Sequence, residues 1–176
     1  MLSYEIPQSA LDIIDWASTD VFRDHDSPDW SPYRLSEPLL TVWAVVFAQG
    51  IIDNGGFGYF FENDLPENPP YSVFWEAFRR IGALESSQCI ETAAHLFPAQ
   101  HPELDYQMRR DYLNLSREMA AGKRDAIDQL ASRFIDLGGA AFQLLVEYIQ
   151  DHSNHFSTVM LNRTNQGEQA VSGNRL

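Results

Sequence analysis

Apolar residues recur at helical spacing along most of the chain. In the first such stretch, Ala10, Ile13 and Ala17 share one face of a helix. No stretch alternates apolar and polar positions in the way that a half-buried strand requires. The pattern predicts an all-α protein, a single compact multi-helix domain of about seven helices over residues 1–156 with a polar C-terminal tail at 157–176. The predicted helices cover about 9–17, 37–52, 71–81, 85–97, 102–122, 124–137 and 140–156.

The second predicted helix, near 37–52, is apolar on most sides, which is typical of a buried central helix. Its longest apolar run, Leu39–Ala48, is too short to cross a bilayer. We expect the helix to end at Asp53-Asn54-Gly55-Gly56, because Asn and Gly accept the left-handed conformation that closes a helix.

Aromatic residues cluster directly after this helix, where residues 57–78 contain 8 of the 22 aromatic residues. Such a cluster more often forms a core than a binding surface. If it is only partly buried, it could instead form an interface between two copies of the chain. A homodimer is therefore one expected arrangement.

The charge of the chain is strongly negative and unevenly placed. The 25 Asp and Glu outnumber the 12 Lys and Arg, which gives a formal net charge of −13. Residues 1–78 hold 13 acids and two bases, whereas residues 79–176 hold 12 acids and 10 bases. This balance excludes direct binding of nucleic acid through a basic face and adhesion to an anionic membrane. Eleven of the bases are Arg, which suits intramolecular pairing with carboxylates in the second part.

Two groups of carboxylates in the first part form the predicted partner-binding acidic surface. A rigid array of Asp and Glu side chains could occupy a DNA-binding protein in place of phosphates, since duplex DNA carries about one negative charge per 1.7 Å of axis. The partner would be a basic DNA-binding protein or a toxin. The residues are Asp12, Asp15, Asp20, Asp24, Asp26 and Asp29 in one group, and Asp53, Glu62, Asp64 and Glu67 in the other.

No motif in the chain indicates catalysis, a resident metal or a cofactor. The Asp24-His25-Asp26 loop lacks the glycine and terminal Glu of a calcium loop, and His152 with His155 has no identifiable third ligand. The only cysteine, Cys89, falls in an apolar helical register and is expected in the core. We therefore expect a protein that is not an enzyme. The N-terminus has no basic and apolar leader pattern, which predicts a cytoplasmic location.

The segment from Asp53 to Asn63 resembles a known family signature. It reads Asp-Asn-Gly-Gly-Phe-Gly-Tyr-Phe-Phe-Glu-Asn. The signature, roughly Asn-Gly-Gly-Phe-x-Gln-Phe/Tyr-Phe-x-Asn, belongs to the DNA-mimic-protein C-terminal-domain family, and Tyr59 stands where it has Gln. Weaker similarity follows at 77–83 and 144–149, so that the resemblance covers about 36–156.

The resemblance implies an all-helical fold and an acidic protein. The named member of the family occupies a bacterial transcription repressor in place of DNA. The residues that carry the signature have structural roles: Asn54, Gly55 and Gly56 are expected to close a helix, Phe57 and Phe60 to fill a core, and Asn63 to cap the following turn.

The sequence therefore predicts a non-enzymatic acidic protein that mimics DNA and binds a basic DNA-binding protein or transcription factor. Two alternatives stay open. The same charge would suit an immunity or inhibitor protein that blocks a toxin such as a nuclease, and acidity can also serve solubility alone.

Overall fold

The computed structural model describes residues 7–19, 32–65, 67–121 and 125–156. These residues form six α-helices and two short 3-10 helices, with no strand among them, which confirms the all-α prediction. The predicted tail at 157–176 lies outside the described residues. The α-helices are α1 (Gln8–Thr19), α2 (Leu39–Glu62), α3 (Ser72–Arg80), α4 (Leu84–Ala94), α5 (Tyr106–Met119) and α6 (Ala126–Asp151), and the 3-10 helices are Pro32–Arg34 and Pro102–Leu104.

Helix α2 is the central element, as the sequence predicted, and it packs against α1, α3, α5 and α6. Twelve of its 24 residues are buried. It is also the one helix in the described part of the chain that is long and apolar enough to cross a membrane. In this structure its buried residues face the other helices of the core.

The break in α2 lies at Gly56, the last residue of the Asp53–Gly56 segment where the sequence predicted the helix to end. Gly56 has φ 69° and ψ −173°, while the residues on either side are helical, so two helical segments meet there. Asn54 and Gly55 do not close the helix, contrary to expectation. The Asn54 amide donates to the Gly50 carbonyl oxygen one turn back (2.7 Å). Gly55 is needed for close packing, because a Cβ at this position would overlap Tyr59.

The second segment of α2 ends at Asn63. The Asn63 amide donates to the Tyr59 carbonyl oxygen (2.6 Å), so it satisfies a carbonyl of the helix it ends. The expectation that Asn63 caps the following turn is therefore wrong. The sequence did not show that the aromatic stretch is itself helical, which is why the cap was assigned to the wrong side.

Most aromatic residues of α2 and α3 lie in the core, and Phe47 and Trp75 are partly buried against it. Phe57, Phe60 and Phe61 are fully buried, as are Phe74 and Phe78 of α3. Their rings contact the other elements, since Phe57 lies 5.5 Å from Phe134 and Phe61 lies 5.0 Å from Phe97 between ring centroids. These rings are therefore unavailable for an interface between two copies. Tyr59, which is half exposed, points away from them.

Helix α6 is continuous where two helices were predicted. Gly138 and Gly139 lie inside it, although glycine pairs often end helices. Gly138 faces α2, where a Cβ would lie 2.9 Å from Nε2 of Gln49, so its small size permits close approach of the two helices. The helix predicted over 102–122 is instead two elements, the 3-10 helix Pro102–Leu104 and α5. Helix α5 begins after Asp105, whose side chain accepts from the Met108 backbone amide (2.9 Å) and caps the helix.

Candidate protein-binding surface

The first group of predicted carboxylates is only partly within the described residues. Asp12 and Asp15 are exposed on α1, and the Gln8 amide donates to Oδ1 of Asp12 (3.0 Å). Helix α1 contains no Lys or Arg. The other four members of the group, Asp20, Asp24, Asp26 and Asp29, lie outside the described residues, as does the Asp24-His25-Asp26 metal candidate.

Most of the second group is already paired with arginine. Glu62 accepts from Arg117 (2.8 Å), Asp64 from Arg109 (2.7 Å), and Glu67 lies 4.0 Å from Arg34. Their role in partner binding stays a prediction, but each pair cancels much of the charge that these carboxylates would present. Asp53 differs from them because it is exposed and forms no salt bridge with a described residue.

Arginines of the second part of the chain pair with carboxylates, as their abundance suggested. Arg79 binds Glu91 (3.0 Å), Arg80 binds Glu37 (2.8 Å) and Arg133 binds Glu85 (2.8 Å). Together with the three pairs above, these contacts tie six arginines to positions within the fold. Carboxylates that form no salt bridge therefore account for the negative charge of the surface.

Arg109 is one of these paired arginines, and its buried side chain holds parts of the fold together. Its side chain is 1% exposed, and it donates to the carbonyl oxygens of Phe61, Pro102 and Glu103 at 2.7–2.9 Å as well as to the Asp64 carboxylate. These contacts join the end of α2 to the start of α5. Tyr71 lies near Arg109. Burial of the Tyr71 hydroxyl raises its pKa, and the positive charge of the Arg109 guanidinium opposes part of that rise.

The six α-helices divide into two groups by charge. Helices α1, α2 and α6, which pack against one another, carry eight carboxylates and one cation, and we call them the acidic helices. Helices α3, α4 and α5 carry five carboxylates and five cations, and we call them the balanced helices. The single cation of the acidic helices, Arg133, is paired with Glu85 of α4.

The acidic helices include carboxylates that sequence reasoning missed. Asp136, Glu147 and Asp151 are exposed on α6 and form no salt bridge with a described residue. At 3.6 residues per turn they fall within about 60° of one another around the helix axis, and they extend over about 22 Å of its length. A charge count over residues 1–78 does not include these carboxylates, because α6 is distant in sequence from α1 and α2 although it packs against both. Their spacing along α6 was the available signal.

A pocket of about 220 Å³ lies between the three acidic helices. Its walls are mainly apolar, with Ile14 from α1, Val46 from α2 and Phe142 from α6. Gln49 and Asp53 supply its polar part, and Nε2 of Gln49 donates to Oδ1 of Asp53 (2.8 Å). A larger pocket of about 380 Å³ lies where the start of α1 meets the end of α6, and Asp12 lines it.

Residues with potential for metal binding or thiol chemistry occupy structural positions. No group of three or more His, Cys, Asp and Glu suited to a metal occurs among the described residues. Nδ1 of His152 donates to the Tyr148 carbonyl oxygen (2.8 Å). Cys89 is buried, and burial raises the pKa of its thiol, which disfavours the reactive thiolate.

The fold and this surface define an all-helical acidic protein whose unneutralised carboxylates concentrate on three mutually packed helices. The family model for DMP19-like proteins matches residues 33–152, and the chain belongs to this family. The matched range contains α2 to α6 and the Asn54–Asn63 segment. No curated protein and no solved structure matches the chain.

Proposed function

We propose that this protein binds a basic DNA-binding protein, presenting the carboxylates of its acidic helices where the partner would otherwise hold DNA phosphates. In this role it is not an enzyme. Membership of a family of DNA mimic proteins supports the proposal. The fold supports it as well, because short Asp and Glu side chains on rigid helices hold their charges in fixed positions.

The observation that carries the proposal is the unequal neutralisation of the two helix groups. Arginine pairs with three of the five carboxylates of the balanced helices, Glu76, Glu85 and Glu91, and with Glu62 among the eight of the acidic helices. Acidity that served only solubility would not require this difference. Asp12, Asp53, Asp136, Glu147 and Asp151 instead keep their charge on helices that pack together. A concentrated negative field steers cationic partners toward that part of the surface.

Displacement of DNA from a repressor tests the proposal. Purified bacterial transcription repressors are each bound to a fluorescent operator duplex, and the protein is titrated into the complex. We expect release of the duplex from at least one repressor, with an affinity that falls at least about tenfold between 50 and 200 mM NaCl because screening weakens the field. A variant with Asp136→Lys, Glu147→Lys and Asp151→Lys should need at least about ten times more protein for the same release.

A matched control separates local from total charge. Substitution of Glu76, Asp111 and Glu118 by Lys changes the net charge by the same amount, but on the balanced helices. This control should displace DNA nearly as well as the wild type. Equal loss in both variants, or no loss in either, would contradict the proposal, and a stoichiometric complex that inhibits a nuclease toxin would favour the inhibitor alternative.

A further inference from the structure

The pocket between the acidic helices has a size and composition suited to one long side chain. Its volume of about 220 Å³ is below the roughly 300–1,000 Å³ of typical small-molecule sites. Most of its wall is aliphatic or aromatic, from Ile14, Val46 and Leu145 to Phe142. An occupant must therefore offer apolar atoms to the wall.

The polar part of the same pocket offers the exposed carboxylate of Asp53 as a hydrogen-bond acceptor. Nε2 of Gln49 donates to Oδ1 of Asp53, which holds the carboxylate in one orientation and leaves its other oxygen available. Oε1 of Gln49 is buried away from the surface, so the carboxylate of Asp53 is the acceptor that an occupant can reach. No Lys or Arg lines the pocket. The occupant must therefore carry donors and positive charge at one end.

An arginine side chain meets both requirements. Its three methylenes can lie along apolar surface while the planar guanidinium pairs with a carboxylate. The guanidinium can also stack on the ring of Phe142, which is 37% exposed. Lysine offers a compact, strongly hydrated charge that fits a partly apolar pocket less well.

We infer that the pocket of Gln49, Asp53 and Phe142 receives an arginine side chain of the basic partner. The inference deepens the proposed function and rests on it, because it names the partner residue that anchors to the acidic helices. Asp53 supplies the charge-assisted contact, Gln49 positions the carboxylate, and the apolar wall binds the stem.

Titration with a single side chain tests the pocket without any partner. The probe is N-acetyl-arginine N-methylamide, added to ¹⁵N-labelled protein and followed by NMR. We expect saturable shifts of the Gly50 and Asp53 amides with a Kd in about the millimolar range, as suits a ligand of this size. The citrulline analogue is nearly the same shape but uncharged, and it should bind at least about tenfold more weakly. Asp53→Asn should lower arginine affinity by at least about fivefold, whereas Asp151→Asn should not.

Two exposed glycines supply a matched pair of variants that block or spare the pocket. Gly50 and Gly139 are both helical, and a Cβ at either position would meet nothing within 4 Å. Only Gly50 lines the pocket. Gly50→Met should abolish arginine binding, while Gly139→Met should preserve it. Both variants should remain folded, which thermal unfolding checks.

The outcomes distinguish this inference from the proposed function. Equal shifts with arginine and citrulline, or unchanged arginine binding in Gly50→Met, would overturn the inference. DNA displacement that survives Gly50→Met but is lost in the Asp136, Glu147 and Asp151 variant would also overturn it and leave the proposed function intact. Loss of displacement in Gly50→Met but not in Gly139→Met supports both.

Discussion

Arg109 shows how a single charged side chain can hold several elements together. Its guanidinium is buried, but every donor group meets an oxygen, including the Asp64 carboxylate and the carbonyl oxygens of Phe61, Pro102 and Glu103. Buried charge is tolerated only with such complete pairing. Removal of the side chain would deprive these oxygens of their guanidinium donors, and the Pro102 carbonyl oxygen alone would still accept from the Asp105 backbone amide (3.2 Å) among the contacts described.

Arg109→Lys tests the energetic importance of this network. Lysine keeps the charge but cannot reach the same set of acceptors, so the free energy of unfolding should fall by about 2–4 kcal/mol. Urea denaturation provides the measurement. Arg110→Lys is the matched control, because Arg110 is exposed and in no salt bridge with a described residue, and it should change stability by less than about 0.5 kcal/mol. Equal effects at the two positions would show that the network contributes little.

Sequence alone could not separate these two adjacent arginines. Arg109 and Arg110 differ only in which side of α5 they occupy, and the amphipathic pattern there does not identify a buried cation. The same limit applied to Glu62 and Asp64, which were predicted to face a partner. Their arginine partners lie 45 or more positions away in the chain, so only the tertiary fold reveals the pairing.

At the scale of helices, the sequence located the elements better than their ends. Both glycine pairs were expected to stop a helix, but only Gly56 has a left-handed φ. Gly138 allows α6 to approach Gln49 of α2, and the helix continues through it. A glycine chosen for backbone conformation and one chosen for close packing look identical in sequence. The packing of α2 against α6 decides between the two roles.

Gly56→Ala tests the conformational role of the break in α2. A φ of 69° with ψ −173° lies in a region almost restricted to glycine, so alanine should lower stability by about 1–3 kcal/mol. Space is not the cause, because the added Cβ would lie 3.5 Å from Cβ of Ala131, an ordinary contact. Gly50 lies in a helix, and a Cβ there would meet nothing within 4 Å. Gly50→Ala should therefore raise the free energy of unfolding by about 0.5–1 kcal/mol. The difference in urea midpoint between the two variants is the measurement, and a Gly56→Ala protein as stable as the wild type would refute the strain.

For the whole molecule, the location of charge depends on the fold more than on the order of residues along the chain. The sequence assigned the excess acid to residues 1–78, but Glu37, Glu62 and Asp64 are paired with arginines from later helices. Helix α6 adds its own carboxylates beside α1 and α2. A negative surface could thus be predicted from composition, whereas its extent required knowledge of which helices pack together.

Uncompensated charge should also make stability depend on salt. With a net charge of −13, repulsion among the free carboxylates acts over a Debye length of about 30 Å at 0.01 M and about 8 Å at 0.15 M salt. The arginine pairs have N to O distances of 4.0 Å or less, so salt screens them less than it screens the long-range repulsion. We therefore expect the thermal midpoint to rise by a few degrees between 10 and 150 mM NaCl. The Asp136→Lys, Glu147→Lys and Asp151→Lys variant changes the net charge from −13 to −7, at two units per substitution. With less repulsion to screen, its thermal midpoint should rise less with salt. A midpoint that falls with salt would mean that the ion pairs outweigh the repulsion, and the acidic helices would then lack the strong field on which partner binding depends.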